Sequence, residues 1–113
     1  MQPPVLDRWL AAVLETPGLT AIKDPAVARA VLLEDALRAV ELVGGNEGPI
    51  VDVGSGGGTP GIPLAVSLPD RGVTLLEAER RKCRFLEGWT GEIPNLSVTW
   101  GRAEEQEPDR FGV

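Results

Sequence analysis

Apolar residues recur every three or four positions from Val5 through Trp9, Leu10, Val13 and Leu14, until Pro17-Gly18 interrupts them. That spacing lays them along one face, so a short amphipathic helix is predicted over 5–14. Asp24-Pro25 then reads as a helix start, because the Asp side chain can accept an orphan N–H and Pro has none to lose. A second helix is predicted over 25–43, with Val27, Val31, Leu33, Leu37 and Val40 on its apolar face and Gly44-Gly45 ending it. Beyond Gly48 the pattern changes. A β-branched run over 49–53 enters a glycine-rich turn over 54–61, followed by an apolar helix start over 62–68. A strand over 73–76 ends on Glu77, an amphipathic helix over 79–90 carries Phe85, Leu86 and Trp89, and a strand over 96–100 closes on Gly101. Strands alternating with helices imply an α/β fold, with three parallel strands in the order 3-2-1 forming half of a doubly wound sheet. Two segments are expected, a helical one over 1–48 and a βαβαβ half-domain over 49–113.

Composition narrows the chemistry. Leu, Ile, Val and Phe make up about 28% of the 113 residues, above the roughly 20% below which chains tend to stay disordered. There is no histidine, which removes Ser-His-Asp and Cys-His nucleophile systems and nearly all ordinary zinc sites. The single cysteine, Cys83, permits no intrachain disulfide and no CxxC metal pair, so no metal is expected. No apolar run is long enough to span a membrane, and the N-terminus lacks the basic-then-apolar order of a signal peptide; a cytoplasmic location is expected. A net charge of −6 argues against broad attraction to nucleic acid, although a local basic cluster can act against the mean.

Ligands of doubly wound sheets sit at the carboxyl ends of the strands, where the turn Gly54-Ser55-Gly56-Gly57-Gly58-Thr59-Pro60-Gly61 lies. A glycine-rich turn alone could be no more than a tight strand-to-helix connection. Here Asp52 precedes the glycines, and Glu77 ends the next strand near the roughly 20-residue spacing of a ribose-binding acid, which points to an adenosine cofactor. Gly56, Gly58 and Gly61 also satisfy GxGxxG, so a nicotinamide or flavin dinucleotide is an alternative. Pro60 and Pro63, however, remove two N–H donors from the helix entry where a pyrophosphate would bind, which favours a ligand without phosphates.

The run DVGSGGGTPGIPLAVSLPD, followed by VTLLEAERRKCRFLE and then GRAEE, resembles the RsmG/GidB family of small-subunit ribosomal RNA guanine-N7 methyltransferases. A fainter likeness continues upstream through Gly18-Leu19-Thr20-Ala21, Asp24-Pro25 and Asp35-Ala36-Leu37. The resemblance implies a Rossmann-like class I methyltransferase half-fold and S-adenosyl-L-methionine as methyl donor. Carried over by position, Asp52, Gly54, Ser55, Gly56, Gly58 and Gly61 would form the cofactor loop, Glu77 would bind the ribose hydroxyls, and Ala103 and Glu104 would lie beside the adenine. Guanine N7 already presents a lone pair, so a methyl transfer to it needs no general base, and a chain without histidine is compatible with it. Arg80, Arg81, Lys82 and Arg84 follow the ribose acid. As a helix face they are solvated charge; under the resemblance they are candidate contacts to the phosphates of ribosomal RNA.

The chain departs from the family at several places, among them a shortened segment with Gly18 where the family has an Asn. Val31 and Leu32 stand where the family usually carries an Arg-His pair, so an RNA-facing contact is expected to be missing there. The sequence also stops where a fourth strand is expected, which leaves the first strand, with Ile50, Val51 and Val53, as an open apolar edge that invites pairing with a second copy. Beside a cofactor-binding methyltransferase fragment, two alternatives follow: a non-catalytic dimerising module with a methyltransferase-like half-sheet, and a dinucleotide (NAD or FAD) oxidoreductase fragment.

Overall fold

The computed structural model describes residues 3–43 and 48–102. Its first helix, α1 (Pro4–Glu15), starts on a proline, whose fixed φ suits a first turn, and buries Leu6, Trp9, Leu10 and Val13 at the predicted spacing. Burying a large apolar side chain of this kind contributes about 1.5–3 kcal/mol. Asp24 caps α2 (Pro25–Ala28) as its place before a proline implies: Oδ1 accepts the amides of Ala26 at 2.8 Å and Val27 at 3.3 Å.

The helix predicted over 25–43 is not uniform. From α2 the chain passes into a π-helical segment, Arg29–Glu34, and then into α3 (Asp35–Val43). The wider turn changes which residues face inward. Ala28 and Leu33, five positions apart, are both fully buried, whereas Val27 and Val31, expected on the core face, are 48% and 46% exposed. Hydrogen bonding from i to i+5 brings residues of that separation onto one side.

Strands β1 (Ile50–Val53), β2 (Val73–Glu77) and β3 (Leu96–Trp100) form one parallel sheet in the order β1-β2-β3, which is the predicted 3-2-1 order from the other edge. Helices α4 (Gly61–Ser67) and α5 (Arg80–Glu87) make the crossovers. The register sets Ile50 opposite Val73 and Val73 opposite Leu96, and it carries through to Glu77 opposite Trp100. Past the strand ends, the Gly54 amide donates to Leu76 O at 2.8 Å and the Gly101 amide to Glu77 O at 3.0 Å. The loop after β1 and the ends of β2 and β3 therefore lie side by side.

One apolar cluster joins α1 to the sheet: Leu6, Trp9 and Val13 belong to the same core as Ile50, Val73, Leu75 and Leu96. At the opposite end of the strands the Asn95 side-chain amide donates to Ala65 O, Leu68 O and Arg71 O, between 2.8 and 3.1 Å, and ties the end of α4 to the start of β3. Among the described residues β1 pairs only with β2, and Val53 is 57% exposed. No helix there is long and apolar enough to cross a membrane.

Candidate cofactor site

The glycine loop leaves β1 through two residues in left-handed conformation, Gly54 at φ 72° and Gly56 at φ 56°. A side chain is disfavoured at such angles. A Cβ built on either would meet nothing within 4 Å, so this side of the loop faces open space. Gly58 and Gly61 are closed in from behind, and Gly58 also sits at positive φ, 106°. A Cβ on Gly58 would lie 2.7 Å from Ile62 Cδ1 and 3.0 Å from Trp9 Nε1, and one on Gly61 would collide with the Leu75 side chain and approach Asp52 Oδ2 to 2.8 Å. The predicted loop glycines thus divide, two lining the front and two packed behind.

The two predicted acids are both close to the loop. Glu77 is 7% exposed; its Oε1 accepts the Gly56 amide at 2.8 Å and its Oε2 accepts the Glu79 amide at 2.7 Å. Each carboxylate oxygen has a second lone pair, so these bonds orient the group and leave acceptor capacity for a hydroxyl pair. Asp52 Oδ2 accepts the Gly61 amide at 3.1 Å. Burial pushes the Asp52 carboxyl up from 3.8 to about 6; the Gly61 N–H acts against that, and the charge of Glu77 adds to it. Ser55, almost fully buried, donates its hydroxyl to Asp52 O at 2.9 Å and so shapes the turn from inside.

A cleft of about 220 Å³ runs along the strand ends, lined by Val53, Gly54, Leu76, Glu77, Ala78, Gly101 and Arg102. A neighbouring hollow of about 380 Å³ shares Ala78, Gly101 and Arg102 with it and is closed on one side by Trp100. The Trp100 indole is fixed by a 2.9 Å bond from Nε1 to Ala78 O and carries the Arg80 guanidinium over its ring at 4.6 Å. Beneath Glu77, buried Cys83 donates its thiol to Glu77 O at 3.2 Å, and burial together with the Glu77 charge raises its pKa. Ala103 and Glu104, expected beside the adenine, lie outside the described residues.

The entry to α4 settles what its amides can offer. Gly61 N–H is taken by Asp52, Ile62 N–H by Gly58 O at 2.7 Å and Leu64 N–H by Pro60 O at 3.0 Å, while Pro63 has none. Nothing in that first turn is left to receive a pyrophosphate, the mode of binding that GxGxxG would imply.

The basic cluster is only partly open. Arg81 donates to Pro17 O at 2.8 Å and Lys82 pairs with Glu79 at 3.2 Å, whereas Arg80 and Arg84 form no hydrogen bond or ion pair among the described residues. Two contacts to the loop came without sequence warning. Trp9 Nε1 donates to Gly57 O at 2.8 Å, and Thr59 Oγ1 donates to Leu32 O at 2.7 Å. The available signal was general: a buried tryptophan N–H needs an acceptor. Among the described residues no group of three or more Asp, Glu, Cys or His side chains could hold a metal ion.

Comparison with known proteins completes the picture. A family model described as rRNA small subunit methyltransferase G matches residues 6–113. The protein named Ribosomal RNA small subunit methyltransferase G from Laribacter hongkongensis is 39% identical over 108 residues, covering 94% of this chain and 49% of the relative. Its counterpart from Marinobacter nauticus is 38% identical over 108 residues, covering 94% and 48%, and that from Stutzerimonas stutzeri is 41% identical over 93 residues, covering 80% and 43%. The chain spans about half the length of the curated relatives it matches. With a glycine loop and paired acids at the carboxyl ends of a parallel sheet, and with a family match over nearly its whole length, the chain belongs to the rRNA small subunit methyltransferase G family.

Proposed function

We propose that this chain is the S-adenosylmethionine-binding part of a methyltransferase acting on small-subunit ribosomal RNA, with guanine N7 as acceptor. The observation that carries the reading is the placement of the Glu77 carboxylate, held by the Gly56 and Glu79 amides at the rim of a cleft whose other wall is the open side of the glycine loop. Glu77 is the group that accepts the ribose hydroxyls, since a fixed carboxylate can take two hydrogen bonds side by side. Gly54 lets the ligand approach the backbone. Ala78, Gly101 and Arg102 border the space next to Glu77, and the adenine belongs there. Asp52 supports the loop from behind through the Gly61 amide.

The cofactor, when bound, supplies an electrophilic sulfonium methyl group. Transfer to an atom with a free lone pair requires alignment and no prior proton removal, so the contribution asked of these residues is positioning. Arg80 and Arg84, the two members of the basic cluster without an ion pair or hydrogen bond among the described residues, are the ones offered to RNA phosphate. Among the described residues one edge of β1 is unpaired, which favours a second reading, a module that pairs with another copy of the chain.

Calorimetric titration with S-adenosylhomocysteine and with NAD tests the first reading. Saturable binding of the former, none of the latter, and a loss of about 1–3 kcal/mol in Glu77→Ala, the size of a lost charge-assisted hydrogen bond, is the expected outcome. Binding that is indifferent to Glu77→Ala would overturn the site assignment.

A further inference from the structure

The loop's hidden side is held by groups far away in the sequence. Trp9 of α1 is fully buried and donates to Gly57 O at 2.8 Å. The loop lies so close to α1 that a Cβ on Gly57 would already touch both methyl groups of Val13, at 3.4 and 3.5 Å. Thr59, two residues on, donates to Leu32 O in the π-helical segment. Departures of this kind from the α-helix occur frequently at functional sites. A third bond reaches the other acid's side of the cleft: Arg81, in the first turn of the helix after Glu77, donates to Pro17 O in the stretch between α1 and α2. The glycine loop and the helix following the ribose acid are therefore both fastened to the N-terminal helical segment, and all three fastenings are side-chain hydrogen bonds to backbone carbonyls.

We propose that Trp9 and Thr59 are positioning residues: by tying the glycine loop to the N-terminal helices they keep its Gly54 and Gly56 side in the shape that receives the cofactor, so the N-terminal segment sets cofactor affinity without touching the ligand. The affinity part of this inference rests on the cofactor reading above; the loop-holding part does not. Deleting one fastening leaves the apolar core in place and lets the loop sample other conformations. Affinity then falls with the share of molecules whose loop is competent to bind.

Trp9→Phe keeps an aromatic ring in the core and removes the N–H. Thr59→Val keeps the shape and removes the hydroxyl, and Thr59→Ser restores a hydroxyl. Amide hydrogen exchange is followed in the unliganded chain for residues 54–61 and, as the internal reference, for β2; S-adenosylhomocysteine affinity is measured on the same samples. In Trp9→Phe and Thr59→Val the loop amides should exchange about three- to tenfold faster with β2 unchanged, and affinity should fall by a similar factor, the size of one buried hydrogen bond. Thr59→Ser should return both values to the parent's. If Trp9→Phe does not fold, the Thr59 pair decides alone. Unchanged loop exchange, or acceleration spread equally over loop and β2, overturns the proposal. A parent chain that binds no S-adenosylhomocysteine overturns the cofactor reading and the affinity part with it, while loop exchange still decides whether the fastenings hold the loop.

Discussion

The front and the back of the glycine loop use the same residue type for different reasons. Gly54 and Gly56 at the front and Gly58 behind all adopt positive φ, but the front pair borders open space, whereas Gly58 and Gly61 leave no room for a methyl group. The front has a carboxylate, Glu77, bound to a loop amide and still able to accept more. The back has a tryptophan and a threonine whose donors are already committed to Gly57 O and Leu32 O, and Asp52, whose Oδ2 is turned to the Gly61 amide. A change that alters packing at the back should therefore register first as lost global stability, and a change at the front as lost binding, whereas removing only a back-side hydrogen bond should loosen the loop and leave the sheet in place.

The largest effect is expected at the back. Trp9→Ala empties the space of a fully buried indole and orphans Gly57 O, and should cost about 3–5 kcal/mol of unfolding free energy, read from urea denaturation. Gly61→Ala forces a methyl group against Leu75 and Asp52 and should cost about 1–3 kcal/mol by the same measurement. If Gly61→Ala left stability untouched, the division between front and back would fail.

At the front the balance reverses. Gly54→Ala places a side chain at φ 72° with nothing in its way, so strain of about 1–2 kcal/mol is the only stability cost expected, while the new methyl group would stand in the proposed ligand's path. Its S-adenosylhomocysteine affinity should fall by more than its stability does; equal losses would place Gly54 at the back. The last effect concerns pH. In the folded chain Asp52 holds its proton up to about 6, against 3.8 ordinarily, so its contribution to stability is fully present below pH 3.8 and is lost as pH rises through about 6. Asp52→Asn abolishes that loss, so its stability relative to the parent should improve between pH 4 and pH 7, as thermal melts at the two values would read.

Much of this architecture was legible in the residues themselves. Strands are short β-branched runs bounded by Gly and Pro, and all three lie where that signal puts them; Asp24-Pro25 marks a helix start through chemistry confined to four residues. The loop and Glu77 stand out because strand, turn and acid follow at fixed spacing. What stayed hidden depends on distant contact. The π-helical segment exchanges Val27 and Val31 for Ala28 and Ala36 on the buried side, a choice made by the surface the helix packs on and invisible to periodicity. In the same way Arg81 reads as part of a basic face until Pro17 O is seen to occupy it, and Trp9 reads as one more apolar residue of α1 until its N–H is found on Gly57.

On the proposed reading, the cleft at the strand ends, with Glu77 at its rim, holds an adenosyl ligand. The most direct measurement is a titration of S-adenosylhomocysteine into the chain followed by amide resonances. Saturable shifts concentrated at Gly54, Gly56, Ala78 and Gly101 are expected, and their loss in Glu77→Ala. Saturable shifts elsewhere in the chain, or a folded chain that shows none, would contradict that reading.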